Sequence, residues 1–561
     1  MTQTKPPRLA LVFPPALHPT SPPLGVSLLY AWLRRKLPGL ELAVFDLNLA
    51  FFDQALEWMA RGRLRVGLKG LDQQQTARRA AEALAFLRGE QGLDAFCDLE
   101  RYQQQARVYR SLEQVVGGLF DHMARRVAAG LELPPLVERF FAELWEPVRR
   151  FQAQWVGFSL LFSQQLPFAL AQAAGLKRAG ARVLLGGATL SVMPRPERLL
   201  GRLPWVVGEQ RLELEGGSLV DALLVGEGEK GLLALLGGEP PEQVPGLVYR
   251  QGAELRQNPA GMVRRLERLP APDFSWCRLE GYHSPRPVLP YLSARGCFWG
   301  RCAFCTHQKT YLAYREEPVR QTVRHLEELA RRHGVRHFSL VDEMVHPRRL
   351  RSLSRAILER GLDIRFSAYA KPSGGFDRRS LELAHRAGLR VALWGVESGS
   401  RRVLKLMNKG TDPAQVQRVL KLAAEAGIWN LVFVIFGFPT ESEAEWRLSL
   451  DFLRRNRRSI HALSKSRFLL LAGSEVMRRP QEFGITRVRD RRMRDPMQIA
   501  YDYEVGQGLD QEEVARRYSR LRKELKGVGR SPFFALLRDH MLIHAACRDH
   551  PPAGACRKEN P

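Results

Sequence analysis

Long apolar runs are missing from this 561-residue sequence: none reaches the ~18 residues that a membrane-spanning helix needs. Cysteine is scarce, with seven residues. That excludes a disulfide-stapled scaffold, and a chain of this length can bury a sizeable core without staples. The opening stretch MTQTKPPRLALVFPP runs straight into a strand-like apolar run with no cleavage site, so no secretory signal is expected. Acidic residues are in the minority, 59 against 86 basic ones, for a net charge of +27, and only 14 of the basic residues are lysine. Such a balance can mark a nucleic-acid binder. The densest basic stretches, RRNRR (Arg454 to Arg458) and RVRDRRMR (Arg487 to Arg494), have no interleaved aromatics on which bases would stack. Arginine spread over solvated faces accounts for the charge equally well, so nucleic acid is not favoured but stays open. The expectation is a cytoplasmic protein in a reducing compartment, where clustered cysteines bind metal or do chemistry.

Against that scarcity, three of the seven cysteines fall within nine positions of RGCFWGRCAFCTHQ: Cys297, Cys302 and Cys305. Three thiolates can hold a 4Fe–4S cluster and leave one iron without a protein ligand, open to a small molecule. The alternative is zinc, with His307 completing C-x4-C-x2-C-x-H. Structural zinc commonly uses two separated ligand pairs, and no second C-x2-C occurs.

The apolar patterning predicts two successive α/β units. RLALVFPP (Arg8 to Pro15) reads as a buried strand, PPLGVSLLYAWLRRKL as a helix and ELAVFDLNL (Glu41 to Leu49) as a second strand, which argues a parallel, doubly wound sheet. Residues from about 52 to 150 are rich in Ala, Gln, Arg and Leu and read as a helical insertion. Strands resume at Trp155 to Phe162, Ala181 to Ala188 and Val220 to Glu229. A first domain over residues 1–245 follows, then a proline-punctuated linker over 246–285. A second alternation over 286–480 begins at LPYLSARGC. Its further strands fall at His337 to Glu343, Asp363 to Ala370, Arg390 to Gly399, Asn430 to Pro439 and Ser466 to Gly473. Six strand–helix units suggest a partial parallel barrel, in which reactive residues gather at the C-terminal strand ends. The cysteine triplet sits there, after the first strand. Residues 481–561 read as basic and mostly helical, with no assignable motif.

RGCFWGRCAFC in this placement, with GVESGSRRVLKLMNKG (Gly395 to Gly410) and FGFPTES (Phe436 to Ser442), resembles the radical S-adenosylmethionine (radical SAM) enzymes. The family's usual spacing is C-x3-C-x2-C with an aromatic before the last cysteine. Here the first gap is one residue longer and the aromatic is Phe304. The resemblance implies that Cys297, Cys302 and Cys305 hold a 4Fe–4S cluster whose open iron is chelated by S-adenosylmethionine. An electron from a flavodoxin- or ferredoxin-type donor then yields a 5′-deoxyadenosyl radical. It also implies S-adenosylmethionine contacts for Phe304, for Glu397 at the end of the fourth strand, and for Gly437, where the chain could approach the adenine. Asp342, Glu343 and Lys371, also at strand ends, are lesser candidates.

The first α/β domain resembles the cobalamin-binding domains that precede this barrel in one large radical SAM subgroup. The matching pieces are PPLG, GFSLL with Ser159 and Leu161, Gly186-Gly187, and VGEGE. Open α/β sheets bind ligands beyond their strand C-termini, and glycines there let a nucleotide-like tail pass the backbone. No D-x-H-x-x-G string occurs, so no histidine is assigned as a lower cobalt ligand. Cys97, Cys277, Cys547 and Cys556 read as ordinary thiols.

The expected fold is therefore α/β. It has an N-terminal doubly wound (Rossmann-like) cobalamin-binding domain with a helical insertion, a partial (β/α)6 radical SAM barrel and a helical C-terminal region. The expected activity is methylation of an unactivated carbon in a small-molecule or peptide substrate, with no catalytic side chain assigned. Radical cyclisation or ring rearrangement, RNA modification, and a non-catalytic cobalamin- or cluster-binding sensor are the alternatives.

Overall fold

A computed structural model describes residues 7–15, 18–68, 70–306, 311–491, 495–529 and 537–548. His307, Cys556 and the last three residues of RVRDRRMR lie outside the described residues.

β1 (Arg8–Phe13) is buried from its second residue onward and lies between β2 (Glu41–Asp46) and β3 (Trp155–Ser159), parallel to both. β4 (Arg182–Gly186) continues the parallel sheet. A strand apolar from its second residue onward has no face for water there, so helices must cover both sides. The helix Leu24–Lys36 packs on one side with Trp32 and Leu33. The insertion packs on the other, as five helices between Leu47 and Arg150. Asp72 opens Gln73–Leu87 with a capping box, and Asp98 caps the 30-residue helix Leu99–Ala128. Phe51, Phe120 and Phe140 lock these helices together through ring contacts of 4.2 to 5.8 Å.

A hairpin of β5 (Arg202–Val207) and β6 (Gln210–Glu215) stands apart from the sheet. The strand expected over Val220 to Glu229 shortens to β7 (Ala222–Leu224), because a helix, Gly228–Leu236, already starts within VGEGE. The segment read as a linker carries two further strands of the first sheet, β8 (Leu247–Gln251) and β9 (Glu254–Gln257), both antiparallel. The two-residue turn Gly252-Ala253, with Gly252 at φ 60°, makes a hairpin of a segment whose prolines suggest a linker.

β10 (Val288–Tyr291) begins the second sheet. β11 (Ala294–Arg295) and β12 (Arg315–Glu316) pair antiparallel and bracket the cysteine loop. β13 (His337–Leu340), β14 (Arg365–Ala370), β15 (Leu389–Glu397), β16 (Trp429–Phe436) and β17 (Ala462–Arg467) follow in parallel, giving an open six-stranded order β10-β13-β14-β15-β16-β17. The sixth strand is thus ALSKSR and not the apolar SRFLLLAG. An edge strand needs little apolar character, whereas Phe468 and Leu470 are buried elsewhere, against Phe438. Leu470–Leu471 forms β18, which pairs with β20 (Ala500–Val505) and through it with β19 (Ile485–Arg489). Among the described residues beyond 480, this small sheet precedes the helices Gln511–Glu524 and Arg538–Cys547, so strand accompanies the expected helix there.

Alternation along β15 and β16 shows where the last helix lies. Ala392, Trp394 and Val432 pack under the outer helices. Val391, Leu393 and Leu431 face the other way and pack with Met541, Leu542, Ile543 and Ala545. Arg538–Cys547 thus covers the inner face of the open barrel. It also brings Cys547 into a disulfide with Cys97 of the insertion, 450 residues away in sequence. Cys97 and Cys547 are therefore not the ordinary thiols expected; nothing local in the sequence pairs them. Among the described residues no helix is long and apolar enough to cross a membrane.

The two sheets are joined by buried charge. Arg295, two residues before Cys297, reaches Glu227 at 2.8 Å and also Glu229, while Arg315 meets Glu227 from the other side. All four side chains are at most 10% exposed, and the charges balance. Breaking such a pair strands an uncompensated buried charge, at about 3–5 kcal/mol. Arg295→Met is expected to lower unfolding stability by that amount in a urea titration. Arg295→Lys should recover only part of it, because one ammonium lacks the fork that spans two carboxylates.

Candidate active site

Cys297, Cys302 and Cys305 occupy the loop beyond β11, all half-buried and none in a disulfide. The loop is held from three sides. Ala303 N donates to Met407 O at 2.9 Å, Val476 N donates to Ala303 O at 3.0 Å, and Trp299 Nε1 donates to Asn408 O at 2.8 Å. Ala303 is buried with Val403, Met407, Phe438 and Phe468, and Phe304 packs on that cluster. Trp299 lies in the lengthened first gap, and the Lys371 ammonium stands 3.2 Å from the centre of its ring. Burial, then Lys409, lowers the Lys371 pKa to about 8. Burial pushes the Cys302 thiol up to about 11, against the pull of Lys409.

The donor set fits an iron–sulfur cluster. Three thiolates on one loop can ligate three irons of a 4Fe–4S cluster and leave the fourth open.

Glu397 ends β15 at a bulge, where the pairing with β16 slips between Gly395 and Glu397. Its φ of 66° is left-handed, an uncommon state for a residue with a side chain. A bulge re-aims a side chain, and here the buried carboxylate meets Lys409 Nζ at 2.7 Å. Lys409 reaches it because Ser400 caps the short helix Arg401–Leu406 and the chain then doubles back through Asn408 at φ 49°. Burial alone would lower the Lys409 pKa, but Glu397 and Cys302 raise it on balance. Asp342 is buried beneath the loop, accepting from Ser293 N, Ser293 Oγ and Ala294 N at 2.6 to 2.9 Å. Burial raises its pKa despite those bonds.

Gly437 has a local reason to be glycine. Its φ is 75°, and a side chain there would run into Val514 of the helix Gln511–Glu524. Its N–H donates to Glu441 Oε2 at 2.6 Å. Burial pushes the Glu441 pKa up to about 8, with the Gly437 bond opposing.

Between the C-terminal edge of the first sheet and the barrel strands β10, β13 and β14 lies a cavity of about 670 Å³, within the range of small-molecule sites. Ser159, Leu161, Gly186 and Gly187 all line it. Gly187, at φ 106°, lies so close to Leu160 that a side chain would strike its backbone. The barrel contributes Glu343 and Tyr369, and the last helix contributes Arg538 and Asp539. His18, from the loop after β1, reaches the same wall and contacts Glu113 of the insertion. Phe304, Glu397, Gly437 and the three cysteines do not line this cavity. The structure thus gathers the expected residues into two groups, and Asp342 and Arg295 line the cavity beside the strand that leads into the cysteine loop.

Residues 291–453 match the radical SAM superfamily. The chain contains a radical SAM domain. An uncharacterised methyltransferase of Pyrococcus horikoshii is 25% identical over 261 residues, 45% of this chain and 56% of that relative's length. The chain therefore spans little more than half of that relative. Among solved structures, the cobalamin-dependent S-adenosylmethionine radical enzyme OxsB with aqua-cobalamin bound has a TM-score of 0.61 at 15% identity, over 92% of this chain and 67% of that one. The radical S-adenosylmethionine methyltransferase TsrM from Kitasatospora setae, with cobalamin and a [4Fe-4S] cluster bound, has a TM-score of 0.55 at 18% identity, over 96% of this chain and 91% of that one. At such identities these likenesses establish the fold, and that fold is the expected one.

In this radical SAM domain the sequence reading missed Lys409, Trp299 and Glu441, though each stands in or beside a quoted motif. Their roles depend on how the motifs fold back on one another. Glu441 yields a test. A carboxyl with a folded-state pKa above its unfolded value contributes stability at low pH that is lost as pH rises from about 4.5 through about 8. Glu441→Gln should therefore match the wild type near pH 5 and unfold at higher denaturant than the wild type near pH 9. Glu441→Ala, which orphans the Gly437 amide, should cost about 1–3 kcal/mol near pH 5 and progressively less as pH rises, because it lacks that titration. Denaturant midpoints across pH measure all three.

Proposed function

We propose that the chain is a cobalamin-dependent radical SAM methyltransferase that methylates an unactivated carbon. The observation that carries this reading is the shared cavity: the sheet edge bearing Ser159, Gly186 and Gly187 forms one wall, and the radical SAM barrel forms the other. When bound, the cluster and S-adenosylmethionine would supply a 5′-deoxyadenosyl radical and the cobalamin a methyl group. The chain's own part is placement. Cys297, Cys302 and Cys305 would ligate three irons and leave the fourth for S-adenosylmethionine. Glu397, held by Lys409, would accept hydrogen bonds from its amine or ribose. Phe304 and the Gly437 turn would flank it. Ser159, Leu161, Gly186 and Gly187 would meet the cobalamin, where the small residues leave room for a broad ligand. The apolar walls, including Leu11, Leu184 and Val341, would keep water from a radical. A flavodoxin- or ferredoxin-type protein would deliver the electron. The methyltransferase names of the Pyrococcus relative and of TsrM support methyl transfer.

The first test is isotopic. With a confirmed substrate and S-adenosylmethionine carrying a trideuterated methyl group, a CD3 group should enter the product, with S-adenosylhomocysteine and 5′-deoxyadenosine formed together. Substrate conversion with 5′-deoxyadenosine but no label would replace methyl transfer with cyclisation or rearrangement. The second concerns Glu397→Gln. A charge-assisted hydrogen bond contributes ~1.5–3 kcal/mol, so S-adenosylmethionine binding should weaken by roughly ten- to a hundredfold. Iron and sulfide content after anaerobic reconstitution should match the wild type, and loss of iron would reassign the residue to the cluster.

A further inference from the structure

The barrel side of the cavity is closed by the first turn of the helix Arg538–Cys547, and its polar groups are incompletely paired. Arg538 Nε donates to Ser339 Oγ at 3.2 Å and Nη1 to Tyr369 OH at 3.1 Å. Nη2 has no partner among the described residues. The closest carboxylate oxygen to the guanidinium is Asp539 Oδ1 at 3.9 Å, beyond hydrogen-bond reach. Asp539 is 2% exposed. Its Oδ2 accepts from Thr20 Oγ1 at 2.8 Å, while its buried Oδ1 has no hydrogen-bond partner among the described residues. Buried polar atoms are nearly always satisfied, and an exception calls for an explanation such as an absent ligand. Both side chains line the cavity, beside Tyr369 and the apolar Leu292 and Val341. Burial alone would lower the Arg538 pKa, but Tyr369 and Asp539 raise it on balance, so the cation persists.

The open valences are complementary. A guanidinium with a spare N–H edge takes a carboxylate, and an orphaned carboxylate oxygen takes an ammonium. A ligand bearing both, with no net charge, matches a cation and an anion set side by side. A phosphate would crowd two negative charges against Asp539, in a cavity that Glu343 also lines. We propose that Arg538 and Asp539 form the head-group site for the substrate, and that this substrate is an α-amino acid. Its carboxylate lies on Arg538, its ammonium on Asp539 Oδ1, and its side chain along the apolar wall. This rests on the reading above, in which the cavity is where substrate meets both cofactors.

The test uses the full chain, anaerobically reconstituted with cluster and loaded with cobalamin. Each of the twenty standard α-amino acids is added in turn, and binding is followed by thermal shift and calorimetry. At least one with a large apolar side chain should bind. On the wild type, its methyl ester and its N-acetyl derivative should each bind at least ~tenfold more weakly, a readout that no folding defect can mimic. Arg538→Gln and Asp539→Asn should weaken the parent by a similar factor while cobalamin uptake is unchanged. The proposal is overturned if no α-amino acid binds, or if the two derivatives bind as well as the parent. It is also overturned if the variants lose cobalamin and keep their amino-acid affinity, which would assign the pair to the amide side chains of the corrin. Cobalamin uptake and 5′-deoxyadenosine formation are measured on the same preparations. If both are normal and no amino acid binds, the head-group site alone fails. If an amino acid binds but neither cofactor function appears, the methyltransferase reading fails and the head-group site stands.

Discussion

The buried contact of Arg295 with Glu227 and Glu229 is the constraint on which the arrangement depends. Moving charged groups out of water costs several kcal/mol for each ion, and only close, balanced pairing offsets this. The four partners come from the end of the first sheet, from the strand before the cysteine loop and from the strand after it. They are satisfied together only when the sheet edge stands against the barrel mouth. An apolar interface of the same area could slide. This one has a fixed register, and the register sets the distance from Gly186 and Gly187 to Cys297.

A second trade-off operates at Glu397. A left-handed backbone at a residue with a side chain costs roughly 1–3 kcal/mol. Leaving the Lys409 ammonium buried and unpaired would cost about 3–5 kcal/mol. The ion pair wins, so the bulge persists and the carboxylate is already oriented. The orienting is done by a residue twelve positions later in the chain, through a helix that Ser400 begins and Asn408 ends.

Much of this was legible in the sequence because it is local. Apolar runs such as RLALVF and RVALWGVE marked strands, the Ala- and Gln-rich stretch marked helices, and three cysteines within nine residues marked the candidate site loop beyond β11. Ser159, Gly186 and Gly187 stand at strand ends, where strand order alone brings them to one edge. The errors were of a different kind. ALSKSR is a polar edge strand and FLLL a buried segment outside the barrel, so apolar content alone misplaced the sixth strand. Leu247–Gln251 and Glu254–Gln257 form a hairpin that prolines on either side disguised as a linker. Cys97 and Cys547, or Arg538 and the cavity, are joined by long-range packing that no periodicity encodes.

Covering the inner face of the barrel with Arg538–Cys547 has a kinetic consequence. The strands that the helix covers are complete by residue 467, yet their lid arrives some seventy residues later, after a separate three-stranded sheet has intervened. Closing so large a loop must follow the local strand and helix pairings, because its entropy is recovered only once they exist. Val391, Leu393 and Leu431 therefore face solvent in a partly folded barrel. That state is sticky and prone to self-association.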